Sequence, residues 1–296
     1  MRKTWTALPA LLVVVLGCRR TDVLMSEPAI VLEDAVEYGP TGIGPLYYPR
    51  ITAIIYPKGE YDTVFYDWYV FAHEAECVEP RWQADDFELW PPCVHIGDAG
   101  RIDIDQLRTG PVTLSLYPRT CTNLGFGTMP IETQAYYFSA GTFGGNFFPD
   151  GGMPVGVAAT GGLDAPAFSV EVPAPDPLAV YDPGGFMGDQ LLAAWPTTLR
   201  WEPGNGDFVI VRYQYHRQSW GRKWYLDCRS DDDGEFALPA EWTDWFAGLP
   251  DDANDQAVEI MRVVVSEPID IGYRVDHRKY PLHVYNVVSS TIGVRP

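Results

Sequence analysis

Apolar residues in this chain recur at every second position inside short segments, and Pro or Gly closes most of those segments. The clearest case runs from Phe208 to Tyr215: Val209, Val211, Tyr213 and Tyr215 share one face, while Arg212, Gln214 and His216 take the other. That period predicts a half-buried antiparallel strand. Trp224, Leu226 and Cys228 repeat the alternation one strand later. Segments 51–56, 64–71, 101–104, 112–117, 135–138, 167–172, 197–201, 235–238 and 258–265 read as further strands, since their stiff β-branched and aromatic side chains disfavour helix. Turns are predicted at 57–60, at 202–207 and at the Asp-Gly pair Asp233-Gly234. Only 240–248 has a helical period, with Trp242, Trp245, Phe246 and Leu249 recurring at three and four between Pro239 and Gly248. These aromatics are expected to plug one end of a core.

Pro173-Ala174-Pro175-Asp176-Pro177 forces an extended stretch with few donors and marks a candidate boundary. On either side the strand grammar starts afresh. Residues 51–71 and 197–217 both read strand, Pro-Gly turn, aromatic strand, and Cys93 and Cys228 are each followed by an Asp and Gly turn and a returning strand. An internal repeat would account for this, with an insertion around 77–93. The expected architecture is all-β: two tandem antiparallel β-sandwich domains of immunoglobulin-like type, residues 28–172 and 173–296, with a short helix in the second. Glycine-rich stretches at 141–146, 151–152 and 161–162 lack the spacing of a phosphate cradle and read as flexible surface loops.

Composition narrows the picture. Gly 28, Pro 26 and 14% aromatic residues favour short strands joined by turns. Lys plus Arg is 21 against 40 Asp plus Glu, a formal charge of -19, which repels phosphate backbones and excludes nucleic acid as a partner.

The N-terminus is patterned differently. Arg2 and Lys3 precede an apolar run from Ala7 to Leu16, too short to span a bilayer as a helix and shaped like a secretory signal. Val15-Leu16-Gly17-Cys18 resembles the lipobox of bacterial lipoproteins. The resemblance covers residues 1–18 and implies cleavage after residue 17 and lipid attachment at the Cys18 thiol. Val15 stands where the family most often has Leu. Arg19 follows the cysteine where an Asp would signal retention at the inner membrane, so the resemblance implies the outer membrane of a Gram-negative bacterium. Residues 18–27 would then be a tether. Three acyl chains, palmitate among them, are implied at such an anchor, and two already hold a protein firmly to a bilayer. The second half also resembles β-rich domains of uncharacterised bacterial lipoproteins, which implies no activity.

Four cysteines remain, Cys77, Cys93, Cys121 and Cys228. An oxidising compartment allows up to two disulfides in three connectivities. Cys77 with Cys93 is the favoured pair, closing a small loop that would contribute about 3 kcal/mol on the chain-entropy model. Cys121 and Cys228 are left as a second bond or as two buried thiols. Zinc is disfavoured, since no Cys-x-x-Cys occurs and no His stands at ligand spacing.

Catalytic signatures are missing: there is no Gly-x-Ser-x-Gly, Ser-x-x-Lys, Walker loop, Rossmann fingerprint or His-Glu-x-x-His. His73-Glu74-Ala75-Glu76-Cys77 lacks a second His and reads as a strand end, and His95, His216, His277 and His283 are scattered. No cofactor is expected. Calcium is conceivable at Asp231-Asp232-Asp233-Gly234-Glu235 or at Asp251, Asp252 and Asp255, but Arg229 and Ala240 stand where the twelve-residue calcium loop needs acids. A turn with hydrated carboxylates is the simpler reading. Sugar stacking would fall to Trp220 and Trp224, flanking Gly221-Arg222-Lys223, or to Tyr213 and Tyr215, whose strand phase points inward.

The expected function is that of a non-enzymatic, lipid-anchored cell-envelope lipoprotein, structural or binding, with protein or polysaccharide partners. A carbohydrate-binding module and a hydrolase with a site assembled in space are the alternatives.

Overall fold

A computed structural model describes residues 29–37, 46–55, 57–58, 77–84, 95–122, 130–139, 146–183, 192–217, 222–248, 255–271 and 281–294. The expected signal peptide, the tether and the strand at 64–71 lie outside them. In chain order the first strands are β1 Ala29–Glu37, β2 Leu46–Ile54, β3 Pro57–Lys58, β4 Cys77–Ala84, β5 His95–Ile96, β6 Ile102–Asp105, β7 Val112–Leu114, β8 Tyr117–Thr122 and β9 Pro130–Ser139. Then follow β10 Pro154–Ala159, β11 Phe168–Pro173, β12 Val180–Asp182, β13 Thr198–Trp201, β14 Phe208–Arg217, β15 Arg222–Ser230, β16 Glu235–Ala237, helix α1 Ala240–Ala247, β17 Asp255–Val265 and β18 His283–Gly293. Among the described residues the protein is all-β, as the period of two predicts, with one short helix.

An eleven-stranded sheet forms the frame, in the order β3-β5-β9-β2-β1-β18-β17-β14-β15-β4, with β8 paired to β9. Its central strands earn their place by burial. On β14 the inner phase, Val209, Val211, Tyr213 and Tyr215, is fully covered, as the alternation implies. On β17 both phases are apolar: Val258, Ile260 and Val264 face the main core, while Met261 and Val263 join Phe208, Ile210, Tyr285 and Val287 in a second cluster on the opposite face. β18 is buried almost without interruption.

Two smaller sheets are layered on this frame, β11-β10-β6-β7 and β12-β13-β16. Their alternating apolar faces (Ile102 and Ile104, Val155 and Val157, Leu199 and Trp201) merge with the inner face of the large sheet into one core. Polar bridges join the layers as well: Asn286 Nδ2 of β18 donates to the Pro173 and Val172 carbonyls at 3.0 and 3.3 Å.

Three expectations are corrected by this topology. The division at 172/173 is not a division of the sheet: β1 runs parallel to β18, and β4 pairs antiparallel with β15, so segments from both halves interleave. Ladder hydrogen bonding and a shared apolar face reward that interleaving more than two separate edges would. The Asp-Gly turn is a corner and not a hairpin, since β16 pairs with β13 in the small sheet and not with β15. Segment 112–117 is split between β7 and β8, which lie in different sheets. A strand that no period announces, β10, runs between the glycine stretches 151–152 and 161–162, which are turns or loops as expected, and is bounded by Gly152 (φ +78) and Gly161 (φ +85). Gly161 also meets Gly100 (φ +74): a Cβ built on Gly100 would stand 2.3 Å from the Gly161 carbonyl oxygen, so neither loop tolerates a side chain there. Residues 141–145 lie outside the described residues.

Candidate functional site

Cys18, Cys93 and Trp220 lie outside the described residues. Trp224 stands on β15 in register with Tyr215 of β14 on one side and Trp82 of β4 on the other. Tyr213 and Tyr215 are 0% and 1% exposed and so offer no ring face to a sugar. The Tyr213 hydroxyl donates to the Pro196 carbonyl at 2.9 Å, and burial pushes its phenol above the usual range.

The cysteine pairing is corrected. Cys77 is bonded to Cys228, not to Cys93. The reason lies in the register: β4 pairs with β15 so that Cys77 and Cys228 are direct cross-strand partners, although 151 residues apart in the chain. Cys121 sits on β8 opposite Ile131.

The acidic turn is also more than a hydrated loop. Asp232 reaches inward with a side chain only 3% exposed, against Arg262 of β17 at 1%. Arg262 Nε donates to Asp232 Oδ2 at 2.8 Å and its Nη2 to Oδ1 at 3.1 Å. Trp201 Nε1 and the Gly206 N–H donate to the same two oxygens, each at 2.9 Å. The guanidinium then spends its other donors on the carbonyls of Asp176 (3.1 Å), Pro177 (2.6 Å) and Glu202. Both corners that carry the chain between sheets, 202–207 and 231–234, are thus fastened to one arginine. Every Asp232 oxygen faces donors, which leaves no lone-pair direction there for calcium. Asp231 and Asp233 are exposed, and 251–254 lie outside the described residues. Among the described residues no three His, Cys, Asp or Glu side chains converge as metal ligands.

Two surface features complete the inventory. Trp195, Trp242 and Trp245 are half-buried against the core around Phe246, with ring centroids 4.6 Å apart for Trp195 and Phe246 and 5.1 Å for Tyr213 and Phe246. The helix is therefore a plug with exposed edges. On the outer face of the large sheet, Arg212 holds Asp227 in a bidentate pair at 2.7 and 3.0 Å, with Glu259 3.9 Å away and the Tyr225 ring beneath the guanidinium. Glu33 and Arg50 form a second pair at 2.7 Å, to which the Ser289 hydroxyl donates at 3.1 Å. Burial opposes the Arg212 charge, but Asp227 and Glu259 outweigh it and raise its pKa; burial pushes Glu259 up, and Arg212 offsets that only in part. The sequence placed Arg212 on a polar face but carried no sign of the partners, which arrive from β15 and β17.

Chemically, the arrangement is one of saturated ion pairs and covered aromatics. Among the described residues no helix is long and apolar enough to cross a membrane. Comparison of the chain with protein-family models, with curated proteins and with solved structures finds no match in any of the three.

Proposed function

We propose that the chain is a non-enzymatic lipoprotein of the cell envelope, held in a bilayer through acylated Cys18 and acting as a structural or binding body toward envelope proteins or polysaccharide. The observation that carries the reading is the tail of the apolar run, Leu16-Gly17-Cys18, directly behind a basic start. The body is consistent with this role. Sheets stacked on a common core in the manner of a β-sandwich of immunoglobulin-like type make a rigid, loop-presenting support, and a disulfide on β4 and β15 belongs to an oxidising compartment. The charge argues for orientation: without Arg2 and Lys3 the chain keeps all 40 acidic residues and would stand off an anionic lipid surface. An outer-membrane position follows from Arg19 by the same resemblance.

Expression in a Gram-negative host, followed by detergent phase partitioning, tests the anchor. The wild-type chain is expected in the detergent phase and the membrane fraction, and Cys18→Ser in the aqueous phase or as unprocessed precursor. Equal partitioning of the two would contradict the reading.

A further inference from the structure

Asp34 sits on the inner face of β1, 2% exposed, beneath the four-stranded layer. One of its oxygens accepts the Phe147 N–H at 2.7 Å, while Oδ1 has no partner. On neighbouring β18 the buried Asn286 turns its Nδ2 toward the Val172 and Pro173 carbonyls, and its Oδ1 is likewise unpartnered. The parallel register sets Asp34 opposite Val288 and Leu32 opposite Asn286, so the two side chains lie on one face of adjacent strands, two positions apart. Two acceptor oxygens without a donor, both closed to solvent, are costly in an apolar layer. A hard cation would need several more oxygens than this face supplies. A proton satisfies the chemistry at once, because it cancels the buried charge and turns the unpartnered acceptor of Asp34 into an O–H donor.

Nothing else described supplies the missing charge. The β18 residues flanking Asn286 on this face, Val284 and Val288, are apolar, as is Pro49 across on β2, and the buried residues that the four-stranded layer adds to the same core, among them Ile104, Leu114, Val157 and Val172, are apolar too. Glu33, next in the chain but on the opposite face, is engaged by Arg50. Arg108 and Asp150, beside the Phe147 segment, pair with each other, and Asp150 is 87% exposed.

We propose that Asp34 is a proton-operated latch between the large sheet and the four-stranded layer: neutral, it holds the Phe147 segment down on β1, and ionised, it lets that segment open. At Phe147 the segment has one other described backbone tie, the Arg108 N–H to the Phe147 carbonyl, and its opening must also lift the buried Phe147 and Phe148 rings out of the core. Burial raises the Asp34 pKa from 3.8 to about 6, more than the Phe147 N–H lowers it, and Glu33 adds to the rise. The sign follows: the closed state binds the proton more tightly than the open one, so the latch is fully effective below 3.8 and is lost as pH rises through about 6.

Amide hydrogen exchange at Phe147 on the full soluble body, corrected for intrinsic rate, tests this at pH 4 and pH 7.5. The wild type is expected to lose about sixtyfold in protection across that interval, from the two pKa values by linkage. Asp34→Asn keeps an oxygen for the Phe147 N–H, carries no charge at either pH and is expected to be flat. A wild-type protection independent of pH, or the same dependence in Asp34→Asn, overturns the latch. Should that variant fail to fold, the carboxyl carbon shift of Asp34 in the wild type decides: a midpoint near 6 supports it, and one near 3.8 refutes it.

Discussion

Arg262 concentrates the energetics of this molecule in one side chain. It is taken out of water with a carboxylate partner and three backbone carbonyls, and a charge so placed is strongly destabilising once its partner is removed. Asp232→Ala should therefore cost about 3–5 kcal/mol, read as a lower denaturant midpoint with an unchanged slope, whereas Asp231→Ala, on an exposed neighbour, should fall within about 0.5 kcal/mol. Equal losses for the two variants would mean that the pair is not buried in solution. The sequence could not have singled out Asp232. Three aspartates precede Gly234, and the turn chemistry fits any of them hydrated; only the meeting of two corners over β17 selects the middle one. Tyr213 and Tyr215 are the opposite case, because a period of two on β14 already turned both rings inward.

At the scale of elements, what the sequence discloses depends on how one-sided each strand is. β14 has an apolar face and, from Arg212 onward, a polar one, so its alternation is visible; β18 is buried on both faces and reads only as a mixed run, Val284-Tyr285-Asn286-Val287-Val288-Ser289-Ser290, with no period to detect. β1 is hidden for a related reason: no strand is predicted before residue 51, and its apolar phase, Ile30 and Leu32, makes sense only beside β18 and β2. Pairing partners are invisible in the same way, and the disulfide shows it. Proximity in the chain favoured Cys77 with Cys93, whereas the β4 and β15 register brings Cys77 to Cys228. Closing 151 residues is worth about 5 kcal/mol as an upper figure on the chain-entropy model. Cys228→Ser should lower the melting temperature under non-reducing conditions and abolish the shift that reductant causes in the wild type. Peptide mapping should recover a Cys77–Cys228 cross-link, and a Cys77–Cys93 peptide would contradict the register.

Over the whole molecule, the apparent restart of the strand grammar after Pro173 suggested two bodies, yet the large sheet is woven from both sides of that proline-rich stretch. Local signals of strand and turn carry no information about which distant segment completes a ladder, so the all-β class was legible and the topology was not. Function stands in a similar relation to the chain. The saturated ion pairs and the half-buried aromatic plug describe a body that holds its shape, and the proposed address is read from the first eighteen residues alone. The most direct test is the intact mass of the protein extracted from the membrane fraction of a Gram-negative host. The account requires a polypeptide that begins at Cys18 and carries the added mass of a diacylglyceryl group and an N-acyl chain; a chain that begins elsewhere, or an unmodified Cys18, would contradict it.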